Sequence, residues 1–277
     1  MADIVPLHKE ESRGPVLREV SGNVLRLTLN NPPANTLSIA VMEALHAELD
    51  AAAQSDDIRV VILAASGALF SAGHDLKEMT AHRADGDNGR AFFETSLRLC
   101  ADLMLKINQL PQPVIAEIDG LATAAGCQLV ASCDLAICTD SSTFCTPGVN
   151  IGLFCSTPMV AVSRAAHPKQ AMEMLLTGET IDASTAKDFG LVNRIVPKQY
   201  LQQVVNKYAA VIASKSPQAL RIGKRAFYQQ AEMSITEAYD FATGVMVENL
   251  LKSDAQEGID AVLGKRTPEW KKDSGQE

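Results

Sequence analysis

The feature that most constrains this chain is a hydrophobic period that keeps switching through its first two thirds and then stops switching. Leucines at 25, 27 and 29 alternate with Val24, Arg26 and Thr28, the two-residue period of a strand with one buried face. The period then becomes helical. Ser38 is placed to cap a helix whose apolar positions Met42, Leu45 and Leu49 recur at helical spacing, and Val60-Val61-Ile62-Leu63 follows as a strand buried on both faces. Phe93, Leu97, Cys100, Met104 and Ile107 mark a second helix, ended by Pro111 and Pro113. Val114 to Ile118 is the next strand and Asp119-Gly120 its turn. A short helix around Gln128 then leads to a strand from Leu135 to Cys138. From about Gln199 the pattern is almost wholly helical: Leu201, Val204, Val205, Tyr208, Val211 and Ile212 form one stripe, Ser216-Pro217 opens another helix, and Ser253 with Gln256 fits a capping box. The pattern predicts an α/β body at residues 1–198 and a helical region at 199–277.

Composition narrows the partners. The chain has 277 residues, of which 47% are hydrophobic, enough for a substantial core. A net charge of -8 argues against nucleic acid or an acidic membrane surface as the main partner, and no apolar run is long enough to cross a bilayer. Cys100, Cys127, Cys133, Cys138, Cys145 and Cys155 sit in mostly apolar stretches without zinc-type spacing, so buried thiols in a reducing compartment are expected and no metal. Met1 to Glu10 has no apolar signal core and carries acids that a transit peptide avoids. The expected location is cytoplasmic, or the mitochondrial matrix had a targeting segment been removed.

Two stretches carry chemistry: Phe70-Ser71-Ala72-Gly73-His74-Asp75-Leu76-Lys77-Glu78-Met79, and Asp119-Gly120-Leu121-Ala122-Thr123-Ala124-Ala125-Gly126-Cys127-Gln128-Leu129. Small residues in both let a ligand approach the backbone closely, and Ala125 stands at the expected helix start, where the dipole favours an anion. With Leu29 to Leu37 near the beginning and Glu257-Gly258-Ile259 and Lys265-Arg266 near the end, they resemble the crotonase superfamily, whose best-known members are enoyl-CoA hydratases and isomerases. The resemblance implies a spiral of ββα turns with C-terminal helices that assemble a homotrimer or a dimer of trimers. It also implies an acyl-CoA or enoyl-CoA thioester as substrate, coenzyme A entering as part of that substrate and not as a separate cofactor.

In such a site the backbone N–H groups of His74 and Ala125 would stabilise negative charge on the thioester oxygen. Losing one donor of this kind typically costs about 3 kcal/mol. The imidazole of His74 would either crowd the pocket or offer a titratable group near neutral pH. Adenine and pantetheine contacts fall to Ala34, Ala72, His74 and Leu76, and basic contacts to Lys77 and to Lys265, the latter from a neighbouring subunit.

The two glutamates that flank the substrate in hydratases correspond to Gln128 and to Gly148 in Thr146-Pro147-Gly148-Val149-Asn150. A glutamine amide orients water but takes no proton, and glycine offers only backbone. A third position, an aspartate in some family members, falls near Ser156. The remaining proton carriers are Asp75, Glu78 and His74 near the first donor and the thiols of Cys127, Cys145 and Cys155. Asp75 and Cys127 read best as structural, and Asp134 as joining a strand start to the preceding helix. Three functions follow: a hydratase- or isomerase-type enzyme with an unusual proton carrier, an acyl-CoA-binding or regulatory protein without turnover, and, third, a thioester hydrolase. Restoring both glutamates is expected to raise hydration.

Overall fold

The structure, a computed structural model, describes residues 14–270; the reading of Met1 to Glu10 lies outside them. The elements are β1 (Val16–Ser21), β2 (Val24–Leu29), α1 (Ile39–Ala53), β3 (Val60–Ala65), α2 (Leu76–Ala81), α3 (Arg90–Gln109), β4 (Val114–Ile118), β5 (Leu121–Thr123), α4 (Ala125–Ser132), β6 (Leu135–Thr139) and β7 (Thr143–Cys145). They continue with α5 (Pro158–Ala165), α6 (Pro168–Thr177), β8 (Ile181–Asp182), α7 (Ala183–Phe189), β9 (Arg194–Val196), α8 (Leu201–Ala213), α9 (Pro217–Gln230), α10 (Ile235–Leu250) and α11 (Ser253–Leu263).

A larger sheet runs β1-β2-β3-β4-β6-β9, antiparallel at β1/β2 and parallel thereafter, and a smaller sheet runs β5-β7-β8. The alternation in β2 does what its period requires. Leu25, Leu27 and Leu29 enter the main core with Met42, Leu45 and Leu49 of α1, while the intervening residues stay half-buried. Ser38 caps α1, its hydroxyl accepting from the Val41 N–H at 3.4 Å. Strand β3 is buried on both faces because α1 and α3 cover one side and α8 the other: Val60 and Ile62 pack with Ile115, Ile137, Leu201, Val205 and Ala209.

Two expectations change. Helix α8, assigned to the helical region by a boundary at 198/199, lies on the second face of the sheet, because its Leu201–Val205–Ala209 stripe matches the apolar face left open there. Helices α9 and α10, by contrast, have no buried residue, and Phe227, Ile235, Tyr239, Met246 and Leu251 are largely exposed. Second, Ser253 is the first residue of α11 and its cap is Lys252, so it forms no capping box there; the box is at Ser234, whose N–H and hydroxyl donate to the Glu237 carboxylate at 3.1 and 2.7 Å.

Asp134 does more than join α4 to β6. Its carboxylate accepts from the Val114 N–H (2.6 Å), the Lys224 ammonium (2.7 Å) and the Tyr228 hydroxyl (2.9 Å), while Lys224 also donates to the Ile107 and Gln112 carbonyls. This half-buried cluster fixes α9 against the end of α3 and the start of β4, although desolvation holds the Lys224 pKa below its ordinary value.

Candidate functional site

The two glycine- and alanine-rich stretches meet. Ser71 pairs with Ala122, and its carbonyl accepts from the Thr123 N–H at 3.0 Å, laying the 71–74 segment along β5 and the start of α4. A Cβ placed on Gly73 would lie 2.9 Å from the Ala125 nitrogen and 3.0 Å from the Thr123 oxygen, and one on Gly126 would lie 2.4 Å from the Ser71 oxygen. Only glycine permits this approach, and Gly73 also has φ +80°. Ala124, immediately before α4, has φ 52° and ψ -118°, a strained geometry for a residue with a Cβ. Such strain costs on the order of 1–3 kcal/mol and persists only where the surroundings enforce it. Here the Ala124 N–H donates to the Cys145 carbonyl at 3.0 Å, and Ala125 follows as the first residue of the helix, where the N–H has no intrahelical acceptor.

Two residues without a role in the sequence reading hold this arrangement. Asn35, buried at φ 45°, donates from its amide to the Ser66 and Leu69 carbonyls, and its own carbonyl accepts from the Ser71 hydroxyl at 2.8 Å. The Ser71 oxygen in turn accepts from the Gly73 N–H at 3.2 Å. The signal available beforehand was an asparagine, a residue tolerant of left-handed backbone, just after two prolines.

His74 bridges to Leu37, the Leu37 N–H donating to the Gly73 carbonyl at 2.8 Å. Both imidazole nitrogens are hidden from solvent, with no partner in hydrogen-bonding geometry among the described residues. Burial, opposed in part by the nearby Leu37 backbone, pushes its pKa down and so favours the neutral ring. Ala72 and Ala34 are joined through the Ala72 N–H and the Ala34 carbonyl at 3.0 Å; both are half-buried, Leu76 is exposed, and Lys77 is exposed at the start of α2. Lys265 is elsewhere, just beyond α11, which packs on α9 and α10.

The carboxylates beside His74 are engaged. Asp75 caps α2, accepting from the Lys77 and Glu78 N–H groups at 2.9 and 3.2 Å and from the Thr36 hydroxyl at 3.0 Å; these bonds hold its pKa below the ordinary value. Glu78 accepts from the Ile39 N–H at 3.2 Å, at the start of α1.

Gln128 projects from α4 toward α3. Its amide oxygen faces the Cys100 thiol at 4.0 Å, and it lines a cavity of about 830 Å³ between α3, α4, α5 and α9. Gly148 is closed to any side chain, since a Cβ there would lie 2.9 Å from both the Cys155 sulfur and the Leu153 oxygen. The Leu153 N–H donates to the Gly148 carbonyl at 2.9 Å, which pins the 153–155 segment into the space. Restoring a glutamate at 148 therefore requires the backbone to move, and the expectation for the double restoration is corrected to Gln128 alone. Ser156 is exposed, its hydroxyl donating to the Phe154 carbonyl at 3.3 Å.

The thiols are poor proton carriers at neutral pH. Burial pushes Cys100 up to about 12 and raises Cys127 and Cys155 as well, and the Cys145 thiol donates to the Thr123 hydroxyl at 3.1 Å. Among the described residues, no cluster of three or more His, Cys, Asp or Glu is arranged to hold a metal ion, and no helix is long and apolar enough to cross a membrane.

This crossing of two backbone turns over a mixed α/β core has its counterpart in known proteins. The chain belongs to the enoyl-CoA hydratase/isomerase family, whose sequence model matches residues 19–273. Its similar relatives include the rat protein named enoyl-CoA hydratase domain-containing protein 3, mitochondrial, 45% identical over 89% of this chain and 81% of that one. Among solved structures, an enoyl-CoA hydratase of Mycobacterium smegmatis superposes with a TM-score of 0.88 at 46% identity, covering 93% of this chain and 99% of that one. The human enoyl-CoA hydratase domain-containing protein 3 superposes with a TM-score of 0.87 at 44% identity, covering 92% and 100%.

Proposed function

We propose that this chain binds an acyl-CoA or enoyl-CoA thioester and stabilises negative charge on its carbonyl oxygen through the backbone N–H groups of His74 and Ala125. It acts as a hydratase- or isomerase-type enzyme of acyl-CoA metabolism whose proton is not moved by a pair of glutamates. The observation that carries this reading is the approach of Gly73 to the Ala125 nitrogen, which sets the two N–H-bearing segments side by side at a helix start. Ala34, Ala72, His74 and Leu76 would line the CoA moiety, with Lys77 and a neighbouring subunit's Lys265 supplying cations that an acidic protein otherwise lacks near phosphate. The exposed apolar residues of α9 and α10 support assembly into a homotrimer or a dimer of trimers.

A second reading, an acyl-CoA-binding protein without turnover, is favoured by the closed space at Gly148 and by the amide at Gln128. A thiol-dependent hydrolase is the weakest, because the raised pKa values of Cys127 and Cys155 keep them protonated at neutral pH. The rat relative's name places that protein in mitochondria, so the mitochondrial matrix stands beside the cytoplasm as the compartment this function implies.

The test is acyl-CoA binding by calorimetry alongside crotonyl-CoA hydration, for the native chain and Gln128→Glu. The native protein is expected to bind and to hydrate crotonyl-CoA barely above background, with the variant faster. Absence of binding would overturn the site, and robust native hydration would overturn the claim about proton transfer. Turnover of other enoyl- or acyl-CoA esters by the native chain separates the first reading from the second; CoA release detected with a thiol reagent would reinstate the hydrolase.

A further inference from the structure

The cavity beside Gln128 has a buried floor and an exposed, charged rim. Gln128 and Ser132 of α4 form the floor, each almost inaccessible, and Met104, Leu105, Val160 and Ala161 make the walls apolar. The polar groups of the lower wall are satisfied within the protein: Tyr228 donates to Asp134, Asn108 donates to the Ser132 carbonyl at 2.8 Å, and Ser132 donates to the Gln128 carbonyl at 2.9 Å. Two arginines stand at the rim, and they differ. Arg164 is paired with Glu232 at 3.2 Å and donates to the Val160 carbonyl at 3.0 Å, whereas Arg225 of α9 has no acidic partner among the described residues.

We infer that this cavity selects acyl chains that end in a carboxylate, with Arg225 receiving the terminal group. The inference rests on the proposed thioester site, since Gln128 occupies the position next to the reacting carbons in that reading and the acyl chain would leave past it. Methylene groups suit the apolar walls. At the rim a guanidinium offers a planar pair of donors that fits a carboxylate and gives a methyl terminus nothing. Glu232 keeps Arg164 occupied and disfavours a second free anion beside it, so the selectivity falls on one residue.

The test compares octanoyl-CoA with suberoyl-CoA, which has the same number of carbons but ends in a carboxylate. Calorimetry on the full chain is expected to give about fivefold tighter binding of suberoyl-CoA, the size expected of one partly exposed charge pair. That ratio should shrink as salt is raised. Arg225→Ala is expected to bring it to about one, Arg225→Glu to invert it and Arg225→Lys to restore part of it; because the readout is a ratio, a general loss of affinity in a variant does not affect it. Equal binding of both esters by the native protein, or a preference that survives Arg225→Ala, overturns this inference while leaving the thioester site standing. Failure of both esters to bind overturns the site and this inference together.

Discussion

The turn that brings His74 to Ala125 and the turn at Gly148 are built in opposite ways. The first is held open under strain: glycines at 73 and 126, a left-handed Ala124 and the Asn35–Ser71 network keep two backbone segments closer than side chains would allow. The second is filled in, with Cys155 and Leu153 closing on Gly148, whereas Gln128 borders an open cavity. Strain is thus confined to the first feature, which is the one the proposed thioester site requires, while neither Gln128 nor Gly148 offers a carboxylate.

The comparison is tested most severely at Gly73. Gly73→Ala should press the new Cβ on the Ala125 nitrogen and weaken acyl-CoA binding or turnover by about a hundredfold, comparable to losing one donor. Native-like behaviour of that variant, checked by calorimetry and circular dichroism, would break the proposed arrangement. Gly148→Ala should destabilise the protein by about 1–3 kcal/mol in urea titration, as overpacking does, with little change in the affinity of the esters. A neutral result there would mean that the acid was lost without its space being refilled.

Gln128→Glu sharpens the contrast through pH. A carboxylate buried on α4 should titrate above its unfolded value, so the variant should match the native chain below about pH 4 and become less stable as pH rises, by about 1–2 kcal/mol at neutrality. Denaturant midpoints across pH check it, and a variant uniformly as stable as the native chain would show that Gln128 is better solvated than its burial indicates. The smallest effect belongs to His74. Its folded pKa lies below the ordinary 6.5, so it makes no pH-dependent contribution above that value, and stability declines as pH falls below it until the folded pKa is reached. The decline should vanish in His74→Leu, as denaturant midpoints between neutral and acid pH would show.

Much of this was legible in the residues. The period of β2, the cap at Ser38, the buried β3 and the coming together of two small-residue motifs followed from rules that act over a few neighbours or from the family pattern. Helix α8 was grouped with the C-terminal helices because an amphipathic stripe announces that a face will be buried but not against what; that face lies on the larger sheet. Gly148 looked like a missing acid, and nothing local revealed that residues 153–155 return to occupy its space.

By itself the sequence determined element types, caps, the turn glycines and the chemical nature of each candidate group, since these depend on backbone sterics, side-chain period and the presence or absence of a proton-exchanging atom. Only the tertiary structure decided that Asp75 and Glu78 are engaged at helix starts, that the nitrogens of the His74 ring are hidden and its pKa lowered, and that Arg225 borders an apolar cavity without an acidic partner among the described residues. Those outcomes depend on which distant segments share a surface, and a pKa or an unpaired charge is a property of that surface and not of the residue alone.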